Sequence, residues 1–397
     1  MRIPHAAVLL SAALSLGVAL NGCSRDREQA PPSQAETSAE PAAPAVDPKA
    51  GARLAAQRCA ACHGEKGIAT QPRYPHLAGQ TAGYIVTALE AYQNGTRQSP
   101  EMKASTEGLT ESDFRNLAAH FAAQTLPEGA GLPEQERGKP FEDVDPIALG
   151  KQKSAACAGC HGADGNAAIP GTPSLAGLGD EYLVLATHAY KGGMREDAVM
   201  PGMVAALSDD DIDLISSYFA VQPRKARPGG EGDKVVGERL AQACTSCHGE
   251  HGNSKDPKTP SLAGQDATYL AKAAAAYRDG KRKDETMQGV VEGLGDVEIK
   301  NLATYFSHQE PALPTARKPM NVAELVERCN RCHGPNGRGL ENPGEAFPKI
   351  GGQNQDYLVK ALNAYHAEVR KNRFMEAMSA PLKNWQIELL ARYYAGK

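Results

Sequence analysis

The sequence predicts an all-α fold: four tandem helical domains of roughly 80 residues each, every one wrapped around a body that the polypeptide itself does not supply. Three observations predict it. A C-x-x-C-H pentapeptide occurs four times, as Cys59-Ala60-Ala61-Cys62-His63, Cys157-Ala158-Gly159-Cys160-His161, Cys244-Thr245-Ser246-Cys247-His248 and Cys329-Asn330-Arg331-Cys332-His333. The same landmarks follow each copy in one register, which marks internal duplication. Ala-rich amphipathic stretches recur, and no segment alternates with period two over a useful length.

C-x-x-C-H is the attachment signature of a c-type haem. On a helical turn, cysteines three apart project from one face, where each can form a thioether to a haem vinyl group. The histidine one place on then reaches the iron. A lone C-x-x-C would serve equally as half a zinc site, a thioredoxin-like redox pair or a local disulfide. Four copies in register with a downstream Pro, Tyr and Met favour haem, because zinc and disulfide schemes give the methionine no role. The reading is four covalent haems c, held by Cys59, Cys62, Cys157, Cys160, Cys244, Cys247, Cys329 and Cys332. Domains this small usually need a staple, and the macrocycle is one.

At the N-terminus, Arg2 precedes an apolar run from Ala6 to Leu20, the layout of a secretion signal. The run is short for spanning a bilayer. Of nine cysteines, eight belong to the motifs and the ninth is Cys23, ending Leu20-Asn21-Gly22-Cys23. That tetrapeptide resembles the lipobox of bacterial lipoproteins, which implies a lipidated Cys23 at the mature N-terminus of a protein anchored on the periplasmic side. Ser24, in place of Asp, resembles the pattern that permits transfer to the outer membrane. Residues 24–48 have the composition of a disordered tether. Domains are then expected at 49–126, 146–223, 232–310 and 311–397, with linkers at 127–145 and 224–231.

Within each repeat, an Ala-rich helix such as Gly237 to Ala243 should run into the haem motif. Pro75, Pro173 and Pro260 lie 12 residues after the motif histidine, and Pro348 lies 15 after. A tyrosine follows at +17 from the proline (Tyr92, Tyr190, Tyr277, Tyr365), a methionine ten beyond that (Met102, Met200, Met287, Met375), and an aromatic nineteen later (Phe121, Phe219, Phe306, Tyr394). A second helix is expected over Tyr84 to Tyr92. The last helix starts at a capping box, Ser208 with Asp211 or Thr110 with Asp113. Leu382-Lys383-Asn384-Trp385 offers no obvious equivalent in the fourth repeat.

Each repeat resembles a class I cytochrome c domain. The P-x-L-A-G-Q, Y-x-x-G-x-R and M-x-x-x-x-x-x-L runs resemble the dihaem cytochrome c4 family, so the chain from about 49 to 397 resembles two dihaem units in tandem. Repeat four departs by an insertion at Gly339 to Phe347, by Pro348-Lys349-Ile350-Gly351-Gly352, and by Glu368-Val369-Arg370 where the others hold glycine. The resemblance implies iron ligation by His63 with Met102, His161 with Met200, His248 with Met287 and His333 with Met375. It also implies that the carbonyls of Pro75, Pro173, Pro260 and Pro348 orient those histidines. Met194, Met203 and Met378 are read as core methionines. His5, His76, His120, His188, His251, His308 and His366 share no repeat position, which disfavours bis-histidine ligation.

A six-coordinate haem leaves no place for substrate, so electron transfer without catalysis is the expected role. The expected partners are redox proteins: a quinol-oxidising complex, a terminal oxidase or reductase, or a dehydrogenase whose electrons the chain accepts. A haem enzyme with one ligand-exchange site, acting on sulfur compounds or peroxide, is the alternative, with repeat four as its place. Linker lengths suggest paired domains, a looser joint in Leu126 to Asp145, and domain one as the most independently placed. Basic minus acidic residues give +2 for 49–125, −5 for 146–222, −3 for 228–310 and +5 for 317–397. The overall charge of −4 excludes a nucleic-acid footprint.

Overall fold

A computed structural model describes residues 45–342 and 345–397. The secretion signal, Cys23 and most of the tether fall outside the described residues. Each repeat has the same helical order. A leading helix (Pro48–Arg58, Pro146–Lys153, Lys234–Ala241) enters the haem motif, which forms its own turn of helix (Ala60–His63, Ala158–His161, Thr245–His248). In repeat four the two are continuous as Val322–His333. A middle helix follows (Ala82–Gln93, Asp180–Lys191, Ala267–Arg278, Gln355–His366). Next comes a short helix bearing the methionine (Pro100–Thr106, Met200–Val204, Glu285–Val291, Arg373–Ser379). The closing helix ends the repeat (Glu111–Ala122, Asp209–Ala220, Asp296–Ser307, Asn384–Ala395).

Leading and closing helices cross where a glycine lets the backbones touch. A Cβ on Gly51, Gly150 or Gly237 would fall 2.0–2.2 Å from the carbonyl oxygen of Asn116, Leu214 or Asn301. The closing helices start as the sequence predicts, with reciprocal boxes at Thr110/Asp113 and Ser208/Asp211. In repeat four, Gln386 supplies the half that was not visible, its side chain accepting the Lys383 N–H at 2.9 Å. Each closing aromatic is buried: Phe121 and Phe219 at 1 %, Phe306 at 4 % and Tyr394 at 3 % exposure. Each packs its ring over a glycine at positive φ (Gly67, Gly165, Gly252, Gly337), where a Cβ would lie 2.7–2.8 Å from the ring. The fold is all-α apart from one departure. The repeat-four insertion pairs Leu340–Asn342 with Glu345–Phe347 as a small antiparallel hairpin.

The repeats pair in a nested order. Repeat 2 meets repeat 3, and repeat 1 meets repeat 4, so the expectation of contiguous tandem units and an independently placed first domain is corrected. The side chain of Gln353 brackets His76, accepting its N–H at 2.6 Å and donating to its carbonyl at 2.9 Å. Gln80 does the same to Lys349, at 2.6 and 2.8 Å. Between repeats 2 and 3, Gln265 brackets Ser174. The reciprocal glutamine is replaced by Leu178, and Arg224 reaches the Ser261 carbonyl instead, at 3.0 Å.

The 127–145 segment is no loose joint. Phe141 stacks edge-on to Tyr393 at 5.3 Å, Glu136 pairs with Arg392 at 2.9 Å, and Gly131 accepts the Gln355 N–H at 3.0 Å. It is a strap holding repeat 4 beside repeat 1. The two pairs themselves meet through Lys383 and Asp213, 3.0 Å apart.

Glu368 takes the left-handed turn (φ +56°) that Gly95, Gly193 and Gly280 occupy in the other repeats. A Cβ there costs roughly 1 kcal/mol, and its exposed pairing with Lys371 returns little. Glu368→Gly is therefore expected to stabilise repeat four by about 1 kcal/mol, read as a higher thermal midpoint.

Candidate haem sites and the pair interfaces

The site is built from the motif histidine outward. In each repeat the imidazole Nδ1 lies against a proline carbonyl: His63 to Pro75 at 2.9 Å, His161 to Pro173 at 2.9 Å, His248 to Pro260 at 2.8 Å and His333 to Pro348 at 2.9 Å. A carbonyl can only accept, so Nδ1 carries the proton and Nε2 keeps its lone pair for a metal. Burial drives the pKa of all four histidines down against the opposing pull of the carbonyl, which favours the neutral, ligating form. The carbonyl is set by the glycine under the closing aromatic. Gly67 accepts both the Leu77 and Ala78 N–H groups, and Gly165, Gly252 and Gly337 repeat this. Repeat four keeps the geometry despite its three extra residues.

The eight motif cysteines form no disulfides. The first of each pair (Cys59, Cys157, Cys244, Cys329) packs against the repeat's apolar cluster. Burial raises all four thiols, Cys59 to about 11. Among the described residues no group of three or more His, Cys, Asp or Glu is placed to hold a metal ion. Two thiols and one imidazole with a single free nitrogen, repeated four times beside small apolar clusters, are what covalent haem requires.

The structure places Met102, Met200, Met287 and Met375 alike: half-buried, with the backbone N–H taken by the residue three before. The acceptors are Ser99 Oγ (3.3 Å), Asp197 Oδ1 (3.1 Å), Asp284 Oδ1 (2.9 Å) and Asn372 Oδ1 (3.1 Å). Met194 and Met203 are 47 % and 45 % exposed on the polypeptide. Met378 is half-buried, with the Arg328 guanidinium 3.8 Å from its sulfur. His76 is occupied on both ring nitrogens, accepting the Ala69 N–H at 3.0 Å and donating to the Ala130 carbonyl at 3.3 Å.

Sequence reasoning passed over the pair interfaces. Each carries two arginines among tyrosines of both repeats. Arg97 donates to Tyr357 at 2.8 Å and Arg370 to Tyr84 at 2.9 Å. Arg195 donates to Tyr277 at 3.1 Å and Arg282 to Tyr190 at 3.2 Å. Burial opposes the ionised Tyr84 phenol, but the Arg97 and Arg370 guanidiniums outweigh it and hold its pKa at about 7. The fixed 13-residue spacing from Tyr84, Tyr182, Tyr269 and Tyr357 to these arginines was the readable signal.

Class I cytochrome c is the class this fold and these motifs define. The cytochrome c family profile matches residues 48–124, 147–220 and 235–310, and the chain belongs to that family. Cytochrome c4 of Pseudomonas aeruginosa is 33 % identical over 180 residues, 42 % of this chain and 89 % of the relative. A thiosulfate dehydrogenase electron acceptor of Stutzerimonas stutzeri is 33 % identical over 169 residues, 38 % of this chain and 78 % of the relative. Reduced recombinant cytochrome c4 from Pseudomonas stutzeri aligns at 33 % identity and a TM-score of 0.39, covering 41 % of this chain and 98 % of that one. The chain is thus a multihaem c-type cytochrome working in electron transfer, with four covalently attached haems c and redox proteins as partners.

The interface bonds make a stability claim. Gln353→Ala leaves the buried His76 N–H and carbonyl unpaired, each costing about 1–3 kcal/mol. Thermal unfolding should begin markedly earlier than in the unaltered protein.

Proposed function

We propose that the protein shuttles electrons between redox proteins of a respiratory chain on the periplasmic side, tethered by a lipid on Cys23. Haem supplies a one-electron centre; the polypeptide supplies the closed coordination that keeps substrates away from it. His63 and Met102, His161 and Met200, His248 and Met287, and His333 and Met375 are the proposed axial pairs. The observation that supports this is the fourfold recurrence of one methionine at one place in the capped turn, in repeats whose motif imidazole keeps only Nε2 free. A flexible core filler would have no reason to repeat its backbone bond.

The four haems form two dihaem units, repeats 2 with 3 and repeats 1 with 4. The c4-like unit is then nested inside a second one made from the flanking repeats. Among the described residues no helix is long and apolar enough to cross a membrane. The electron-acceptor name of two relatives favours a periplasmic dehydrogenase as the donor. A membrane-bound quinol-oxidising complex and a terminal oxidase or reductase are the other expected partners.

Spectroscopy tests the ligands. The mature protein is expected to weigh as polypeptide plus four haems and an acylated Cys23. It should show the near-infrared signature of sulfur ligation and stay low-spin and inert to carbon monoxide. Met200→Ala should open one haem only, giving a high-spin fraction and carbon monoxide binding at a quarter of the sites. Carbon monoxide binding by the unaltered protein would favour a haem enzyme instead.

A further inference from the structure

The nested pairing sorts charge. Repeats 1 and 4 together carry 21 basic against 14 acidic residues over 49–125 and 317–397, whereas repeats 2 and 3 carry 14 against 22 over 146–222 and 228–310. Every haem brings the same propionates, so the difference survives attachment. Adding the strap that packs on repeats 1 and 4, with two basic against six acidic residues over 126–145, and the linker residues Arg224, Lys225 and Arg227 that stitch repeats 2 and 3 gives 23 against 20 and 17 against 22, so the order of the pairs is kept.

The same sorting recurs at the turn that presents each methionine. In repeats 2 and 3 the N–H groups of Met200 and Met287 donate to carboxylates, those of Asp197 and Asp284. In repeats 1 and 4 the equivalent acceptors, Ser99 and Asn372, are uncharged. Each of the four turns also carries one glutamate (Glu101, Glu196, Glu285, Glu376), so the capping carboxylate is the difference. Lys272 approaches Asp197 at 3.7 Å but is itself 71 % exposed and screens it little. Negative charge beside an iron favours its ferric state and lowers the potential, and a positive surrounding raises it.

We propose that the molecule is redox-polarised between its pairs: repeats 2 and 3 hold the lower-potential haems and receive electrons, and repeats 1 and 4 hold the higher-potential haems and pass them on. Each step moves one electron, oxidising a ferrous centre of the 2·3 pair and reducing a ferric centre of the 1·4 pair, with no proton required. A reduced redox protein supplies that electron, and an oxidised redox protein removes it. The inference rests on the electron-carrier reading and on the methionine assignments above.

The experiment is a potentiometric titration of the four-haem protein and of capping variants. Asparagine caps a helix as well as aspartate does, so Asp197→Asn and Asp284→Asn keep the turn while removing its charge. The unaltered protein is expected to titrate in two waves of equal amplitude. Asp197→Asn and Asp284→Asn should raise the lower wave alone. Asp197→Asn should act more strongly, because Asp197 is half-buried and Asp284 exposed. Asn372→Asp and Ser99→Asp should depress the upper wave alone. Met375→His, which lowers the potential of its own haem, assigns the waves by moving about a quarter of the amplitude out of the upper one. A lower wave indifferent to both aspartate variants, or Met375→His depleting the lower wave, would overturn the polarity and leave the carrier reading standing. Carbon monoxide binding to the reduced unaltered protein would instead sink the carrier reading.

Discussion

Everything in this molecule hangs on a hydrogen bond that runs from a motif histidine to a proline carbonyl. It fixes the tautomer, aims Nε2, and is itself fixed by a left-handed glycine beneath the closing aromatic. The residue after that proline is the one the partner repeat grips: His76, Ser174, Ser261 and Lys349. The peptide segment that orients one histidine is therefore also a contact with the next haem domain. Pairing and ligand geometry are two uses of one loop. Because the loop is anchored from both sides, each iron ligand is held with little freedom to reorganise, which is what a one-electron carrier needs.

Nesting follows from that shared loop. A face present in four copies can pair in more than one way, and the chain selects among them with its linkers. Arg224 and Arg227 stitch repeat 2 to repeat 3: Arg224 bonds the carbonyls of Ala176 and Ser261, and Arg227 bonds the carbonyl of Thr172 and the carboxylate of Asp266. The longer 127–145 segment crosses to repeat 4, where Leu132 and Phe141 find apolar cover and Glu136 finds Arg392. The result gathers the two basic repeats into one unit and the two acidic repeats into the other, although in sequence the basic repeats stand at opposite ends of the four.

The sequence was legible wherever local chemistry decides. Thr110 and Ser208 announce their capping boxes, the C-x-x-C-H turns announce the cofactor, and the class I cytochrome c resemblance implies the histidine's proline partner in all four repeats. Pairing was not legible, because Gln80, Gln265 and Gln353 look alike and nothing local says which backbone each will bracket. Leu178 was the one visible asymmetry, and its compensation came from Arg224 in a stretch read as linker. The Leu126 to Asp145 composition, rich in Glu, Gly and Pro, reads as loose because the apolar residues that anchor it are only two.

The nested arrangement is tested most directly by cutting the strap. Arg137 is exposed on it and is followed by Gly138, so brief trypsin treatment of the native four-haem protein should sever repeat 1 from the rest of the chain at that bond without disturbing either interface. Size-exclusion chromatography should then return both haem-containing fragments in one peak, separating only in denaturant. Release of a single-haem fragment under native conditions would contradict the account.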